Sequence, residues 1–421
     1  MRIPKIRALI LAGGEGTRLG VLTAKRTKPA IPFAGKYRII DFPLSNCVNS
    51  NIFDVMIIAQ YRPHSLIEHL GAGGPWDLNR DFTGGIRIYT PYRARKSGWF
   101  SGTADAVQQN FSFIKRSKPD LVLILSGDHI YSMDYSSMIE FHMENQADLT
   151  IATLEVPIEE ASRFGIISIS PDRRISSFIE KPPNPTSNLI NMGVYLFNVD
   201  VLDDALWVDH MQTDSSHDFG KDIIPALIKN NSRVFSYPYN GYWVDVGTTE
   251  SYWQAHMDLL LNPASLDLYN RSWIIHTRSE ERPPAKIYQD ANIINSMICD
   301  GCRVENNVTI ENSILSPGVY VQSGSVIKES IIFTDAVIEK DSCIVRSIID
   351  KKVIIGNGSE IGEYIENEIK LTLIGKNSII PPLTIIRAGA SVGADVIHAD
   401  FSNLEIERGD IIQTRRLPNE I

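Results

Sequence analysis

The sequence predicts two folds in series: an α/β domain on a mostly parallel, Rossmann-like sheet, and then a parallel β-helix. Three observations carry this. Residues 1–261 alternate short apolar runs with helical stretches. Residues 293–400 hold 23 isoleucines but only Tyr320, Phe333 and Tyr364 of the chain's 36 aromatic residues. Within that isoleucine-rich segment, branched side chains recur every six positions.

Taken in order, the candidate strands of the first part are Ala8–Ala12, Val55–Ala59, Leu121–Leu125, Leu149–Val156, Gly165–Ser170, Gly193–Asn198 and Val234–Pro238. The first three are wholly apolar, as central strands covered on both faces should be. Candidate helices lie between them at Ser45–Ser50, Pro63–His69 and Thr103–Lys115. Such alternation implies right-handed crossovers, with ligand chemistry in the loops at the carboxyl ends of the strands. Residues 262–290 mix Pro263, Pro283 and Pro284 with charged and aromatic residues, which predicts an ordered connector. The β-helix domain is then expected over 291–421. There Val319, Ile331, Val337, Cys343, Ile349, Ile355 and Ile361 share one six-residue register, with Ser325 in the vacant slot. Ile298, Val304 and Ile310 keep an earlier register, and Ile374, Ile380, Ile386 and Val392 a later one. This is the pattern of hexapeptide turns around a prism too narrow for rings. The register breaks at 310–319 and 362–373, where loops or corners are expected.

Length and composition set bounds. At about 150 residues per domain, 421 residues allow two or three domains. With 43% hydrophobic and 22% charged residues, the chain is not disordered overall. A net charge of −9 disfavours nucleic acid or an anionic membrane as partner. No apolar run exceeds five residues, too short to span a bilayer, and the stretch after the basic start Met1–Arg7 is too short for a secretory signal. Four cysteines give no disulfide framework, so a cytoplasmic protein is expected.

The first strand leads into Leu11-Ala12-Gly13-Gly14-Glu15-Gly16-Thr17-Arg18-Leu19. Its glycines permit close backbone approach, and their N–H groups can cradle phosphate oxygens. It is not a dinucleotide fingerprint, whose third glycine would fall on Leu19, and no Gly-Lys-Ser/Thr makes it a P-loop. Alone it also reads as a tight turn. The cations that follow, Arg18, Lys25, Arg26 and Lys28, also read as a solvated charge run, but beside the loop they suit a nucleoside triphosphate.

Leu11–Leu19 resembles the signature of the sugar-nucleotide pyrophosphorylase family, which joins a sugar 1-phosphate to a nucleotide. Further segments narrow the resemblance to the bacterial branch that uses ATP and glucose 1-phosphate. They are Lys28-Pro29-Ala30, Tyr37–Phe42 with Leu44–Cys47, Gly98-Trp99-Phe100 leading to Gly102–Ala106, Ser126–Tyr131, Ser216–Asp222 and Trp243–Thr248. The motifs run from residue 8 to about 290, and the β-helix fits with weaker detail. The fold implied is a Rossmann-like nucleotidyltransferase domain followed by a left-handed parallel β-helix. The activity implied is transfer of AMP to glucose 1-phosphate for glycogen synthesis, by a homotetramer under the control of anionic metabolites.

Two anions must meet in that reaction, so the site needs a metal and fixed cations but no covalent protein nucleophile. Asp128 follows the apolar run Leu121–Leu125 at a strand's carboxyl end, and Asp245 lies in an Asp-Val-Gly-Thr turn. By their residues alone both also read as turn formers or a helix cap. In the family the matching pair holds the metal, which implies Mg²⁺ at Asp128 and Asp245. Arg18 and Lys28 are candidates for the triphosphate and the pentavalent transition state. Leu11, Ala12, Gly13, Gly14, Gly16 and Thr17 would carry the nucleotide, with Gln60 at the adenine edge and Gly102 and Thr103 offering backbone donors. Lys181 resembles the family's sugar-phosphate lysine, with Glu180 beside it for sugar hydroxyls, and Phe100, Gly165, Asn191 and Gly193 complete the glucose pocket. Many relatives have Tyr at Phe100 and often Ser at Asn191, which bears on affinity more than on reaction type.

The basic stretch Lys25–Lys28, with Arg38 and Arg387, supplies candidate effector residues. Arg408, Arg415 and Arg416 are further candidates, and these late arginines, Arg387 included, also read as isolated surface arginines. Some relatives have a histidine at Pro32, so the effector's identity does not carry over. Cys299-Asp300-Gly301-Cys302 has metal or redox spacing but no second ligand pair, and is expected to be structural. His129 and His217 are expected to be structural too, since the transfer needs no histidine base. Three other functions fit parts of the sequence: a non-catalytic regulatory subunit, the same transfer with another nucleotide or sugar, and an acyltransferase on the β-helix. The last would need a base where residues 293–400 offer only His398.

Overall fold

The structure, a computed structural model, describes residues 4–80, 84–91 and 99–417. Gly98, part of one motif quoted above, lies outside the described residues. The first domain is built on strands β1 (Ile6–Ala12), β2 (Asp54–Ala59), β3 (Gly85–Tyr89), β4 (Leu121–Ser126), β5 (Leu149–Glu155), β6 (Gly165–Ile169), β7 (Ile175–Glu180), β8 (Leu189–Asn198) and β9 (Val234–Pro238). The sheet order is β7-β6-β8-β4-β1-β2-β3, with β5 pairing β8 and β9. β4, β1, β2 and β3 are mutually parallel, and the apolar runs read from sequence lie at its centre. β8 runs antiparallel to β4, β5 and β6, so the sheet is mixed. Buried side chains cover both faces, Ile10, Ile57 and Leu123 on one and Leu9, Ile58 and Ile124 on the other.

Several boundaries differ from expectation for local reasons. β3 and β7 mix buried, half-buried and exposed residues, without a continuous apolar run to announce them. β8 begins at Leu189, and its pairing with β5 slips between Asn191 and Tyr195, where Gly193 adopts φ +71°. A bulge there redirects the side chains next to the site. The helix expected over Thr103–Lys115 breaks into α1 (Thr103–Gln109) and α2 (Phe111–Lys115). Asn110 marks the break, its side-chain amide donating to the Ala106 carbonyl at 2.9 Å.

The connector is ordered: Trp273 Nε1 donates to Asn46 Oδ1 at 3.0 Å and the His276 N–H to Ser45 Oγ at 2.8 Å. The β-helix starts inside it, since Lys286–Ile287 already pairs in parallel with Arg303–Val304. Three parallel sheets of two- and three-residue strands form its sides. One coil advances 17 residues, from Val304 to Val321 to Ile338 to Ile355. Two six-residue steps and one five-residue step make that coil, so a strict six-residue register slips by one at every turn. This corrects the sequence reading. Ile338 and Ile344 fill the prism, whereas Val337 and Cys343 are half-buried outside it, and Ile331 is buried against the first domain instead. The short step falls at the pairs Ile314-Leu315, Ile331-Ile332 and Ile348-Ile349. The first residue of each pair packs beneath the first domain and the second enters the prism. Serines line the adjoining corner, each hydroxyl accepting the N–H one coil on: Ser330 to Ser313 and Ser347 to Ser330, both 3.1 Å. The break at 362–373 is an inserted loop that lengthens one coil, so that Ile355 pairs Ile380.

The domains share an apolar seam. Leu19, Leu22, Phe33 and Tyr252 meet Ile314, Ile331, Phe333 and Ile348, all fully buried. Burying such a side chain contributes roughly 1.5–3 kcal/mol, which fixes the β-helix firmly on the first domain. Among the described residues no helix is long and apolar enough to cross a membrane.

Candidate active site

A cavity of about 530 Å³ opens at the carboxyl ends of β1, β2 and β4, as the strand order requires. Leu11, Gly13 and Gly14 line it where β1 ends. The loop then turns away: Gly16 has φ +68°, and a Cβ there would stand 2.9 Å from Thr23 Cγ2. Ala12 lies buried behind the cavity, its carbonyl accepting from Thr27 Oγ1 at 3.4 Å. Thr17 lines an adjoining cavity of about 280 Å³ with Glu15, Arg26 and Arg62. Of the six candidate nucleotide residues in the loop, Leu11, Gly13 and Gly14 thus face the main cavity.

The carboxylates meet because two strands pair. His129–Tyr131 runs antiparallel to Trp243–Asp245, with Asp245 opposite His129, and this brings Asp128 beside Asp245. Lys28 lies between them, its Nζ donating to Asp128 Oδ2 and Asp245 Oδ1 at 2.8 Å each. Ser126 Oγ donates to Asp128 Oδ1. Burial works against the charge on Asp128, but Lys28, His129 and the hydrogen bonds from Lys28 and Ser126 outweigh it, and the carboxyl is held below its usual range. Burial likewise opposes the Lys28 charge; Asp128 and Asp245 overcome it and raise the ammonium above its ordinary value. Arg18 is exposed outside the main cavity, with Nη2 3.3 Å from where a Cβ on Gly247 would stand, over the Asp245 turn.

The donor set suits a hard divalent cation. Asp128, His129 and Asp245 each offer a ligand atom within 4.8 Å of the others, and the two carboxylates already share a cationic group. His129 has further ties: Nδ1 lies 3.1 Å from the Met192 carbonyl, and its ring meets Trp243 edge to face at 4.9 Å.

The opposite wall holds Glu180, Lys181, Asn191, Gly193 and Phe100. Lys181 is 62% exposed and pairs with Glu180 at 3.0 Å. Gly165 does not line the cavity; it lies beneath Phe178 and Glu180, where a Cβ would come within 2.6 Å of Phe178 Cζ. Both polar ends of Asn191 are engaged, Nδ2 donating to Tyr195 Oη at 2.7 Å and Oδ1 accepting from the Gly193 N–H at 2.8 Å. Gln60 accepts the Phe100 N–H at 3.1 Å through Oε1, which leaves its amide nitrogen for the cavity. Gly102 abuts Ser216 and His217 so closely that a Cβ would stand 2.5 Å from the Ser216 carbonyl and nearer still to that of His217. Thr103 Oγ1 donates to Asp218 Oδ2 at 2.9 Å.

Sequence reasoning passed over Tyr195, Asp218, Phe219 and Gly220, which line the same wall. Asp218–Gly220 belong to the Ser216–Asp222 motif. Tyr195 follows Asn191 and Gly193 at a spacing of two on one strand, a signal that alternation would have given.

Residues 7–262 match the nucleotidyl transferase family model, and residues 283–380 match that of the GlmU-like C-terminal hexapeptide. A glucose-1-phosphate adenylyltransferase from Pseudothermotoga lettingae is 47% identical over 97% of this chain and 99% of its own. One from Thermomicrobium roseum is 48% identical over 97% of each chain, and one from Thermotoga maritima 46% over 97% and 98%. The chain belongs to the glucose-1-phosphate adenylyltransferase family.

In this adenylyltransferase a second cavity, of about 280 Å³, lies between the domains. Eight cations, Arg26, Lys36, Arg38, Arg278, Arg282, Lys351, Lys352 and Lys376, line it against four carboxylates, Glu68, Glu280, Asp300 and Asp335. Burial, with Arg38 and Arg26 close by, pushes Lys351 down to about 7. Burial also lowers Arg38 to about 10, and its Nη1 donates to Ser65 Oγ at 2.9 Å. Of the candidate effector residues, Arg26 and Arg38 line this cavity. Lys25 is paired with Asp395, and Arg387 lies on the β-helix between Glu405 and Glu363, at 2.6 and 3.8 Å. Arg408 also pairs with Glu363. Cys302 is buried, with Sγ 3.1 Å from the Ser316 carbonyl, and Cys299 packs on Gly35. His217 Nδ1 lies 2.7 Å from Asp209 Oδ2.

Proposed function

We propose that the chain transfers AMP from ATP to α-D-glucose 1-phosphate, forming ADP-glucose and pyrophosphate, with Mg²⁺ as its cation. The observation that carries this reading is the Asp128–Lys28–Asp245 cluster, of which Asp128 and Lys28 line a cavity together with the glycine loop, Glu180 and Lys181. Full-length similarity to proteins named for this activity supports it. A phosphate oxygen of the sugar attacks the α-phosphorus, and the bond from that phosphorus to the pyrophosphate oxygen breaks. Mg²⁺ held by Asp128 and Asp245 would neutralise charge on the triphosphate. The N–H groups of Gly13 and Gly14 receive phosphate oxygens, Arg18 and Lys28 stabilise the charge that develops at phosphorus, and Lys181 steers the sugar phosphate. Gln60 addresses the adenine edge and Glu180 the sugar hydroxyls. Pyrophosphate release from Mg²⁺, ATP and glucose 1-phosphate tests the reading; no release, with or without effectors, would refute it.

The cationic cavity between the domains supports control by anionic metabolites, and a homotetramer serving glycogen synthesis completes the proposal. Sedimentation analysis and initial rates across a panel of phosphorylated sugars and carboxylates test these parts. A monomer unresponsive to every anion would refute them.

A further inference from the structure

We propose that Lys28 is a displaceable counter-cation that keeps the Asp128–Asp245 pair closed to free divalent ions and yields it only when a triphosphate draws the ammonium away. This rests on the reading of the two aspartates as metal holders and deepens it.

The geometry carries the argument. Lys28 Nζ takes one oxygen from each carboxylate, at 2.8 Å from both. A divalent ion bridging those oxygens at about 2.0–2.1 Å would need the space that Nζ fills. The remaining Asp128 oxygen already accepts the Ser126 hydroxyl and faces His129 Nε2 at 3.6 Å. Charge acts in the same sense. Two carboxylates and one ammonium leave a single net negative charge, a weak lure for a free cation. Two cations held together in a site partly removed from water also repel strongly.

The Lys28 side chain is 7% exposed, against 29% for Asp128 and 18% for Asp245, so the ammonium is the most enclosed of the three groups, and Asp128 lines the cavity. The Lys28 backbone is pinned, its carbonyl accepting the Ile31 N–H at 3.0 Å and the neighbouring Thr27 hydroxyl reaching Ala12. Lys28 lines the same cavity as Gly13 and Gly14. Rotation of the four-carbon stem alone would carry the ammonium from carboxylate to phosphate oxygens. The lysine would thus exchange one anionic partner for another and leave the aspartates to the metal.

The test is a Mn²⁺ titration of the full chain by electron paramagnetic resonance, without nucleotide, on wild type and on Lys28→Met, Lys28→Gln, Lys28→Arg and Asp128→Asn. Folding of each is checked by circular dichroism. Wild type and Lys28→Arg are expected to bind Mn²⁺ weakly. Lys28→Met and Lys28→Gln should bind it ten-fold or more tightly although their turnover falls, and Asp128→Asn should not bind it. Equal affinity in wild type and the neutral variants, abolished by Asp128→Asn, would overturn the role of Lys28 and leave the metal assignment standing. Tight binding by Lys28→Arg would likewise overturn it. Mn²⁺ binding unaltered by Asp128→Asn, or absent from every form, would overturn the metal assignment and this proposal with it.

Discussion

Arg26 Nη2 donates to both oxygens of Asp350, at 2.8 Å each, and so ties the segment leading into Lys28 to the β-helix across the domain boundary. Both side chains are buried, at 4% and 1% exposed. Removing one partner strands the other's charge away from water, a loss of about 3–5 kcal/mol in comparable buried pairs. Asp350→Ala is therefore expected to lower the denaturation midpoint sharply, whereas Lys370→Ala, in a half-exposed pair with Glu368, changes it little. Urea unfolding of both variants checks this.

Asp128→Asn should leave the fold nearly intact and stop turnover. The cluster contributes charge at the reacting centre, and its loss is expected to lower kcat by about 100-fold or more. Initial rates beside a melting curve test this; full residual activity would refute the assignment.

Gly102→Ala should damage the nucleotide side by contact alone. Its φ of −160° suits any residue, so backbone strain is not the cause. The new Cβ collides with the carbonyls of Ser216 and His217, which pushes Thr103 from Asp218. The expected result is a raised KM for ATP with a modest loss of stability. Steady-state kinetics and thermal unfolding read both.

Lys351 sets a pH dependence. Its folded value of about 7 lies below its ordinary 10.5, because burial and the neighbours Arg38 and Arg26 oppose its charge. Between those values the unfolded chain holds a proton that the folded chain lacks, so this contribution to stability rises with pH across that window. Below about 7 both states are protonated and the contribution is at its lowest. Lys351→Met should flatten the rise, as urea midpoints from pH 6 to 10 would record. An anion in the cavity gains from the proton, so its binding should weaken as pH rises through about 7.

Much of the fold was legible because central strands and prism residues are chosen for burial. Leu121–Leu125 and the isoleucines at 349, 355 and 361 announce themselves by composition and spacing. The coil length was not. A five-residue step hides within a run of sixes, and Ile331 and Ile332 are both buried, one in the seam and one in the prism, so hydrophobicity alone does not say which points inward. At the site, Asp128, Asp245 and Lys28 were each found by position and motif. Their convergence on one ammonium depends on the pairing of His129–Tyr131 with Trp243–Asp245, a contact between segments more than a hundred residues apart. Tyr195 was readable from its spacing to Asn191, to which it is bonded, whereas Asp218 reaches the site through Thr103, 115 residues away in sequence.

The most direct test of the central claim is the initial rate of pyrophosphate release with Mg²⁺ and glucose 1-phosphate, compared across ATP, UTP and dTTP. Adenylyl transfer predicts turnover with ATP well above that with the two pyrimidine nucleotides, and ADP-glucose formed in step with pyrophosphate. A preference for UTP, or pyrophosphate released without a nucleotide sugar, would contradict it.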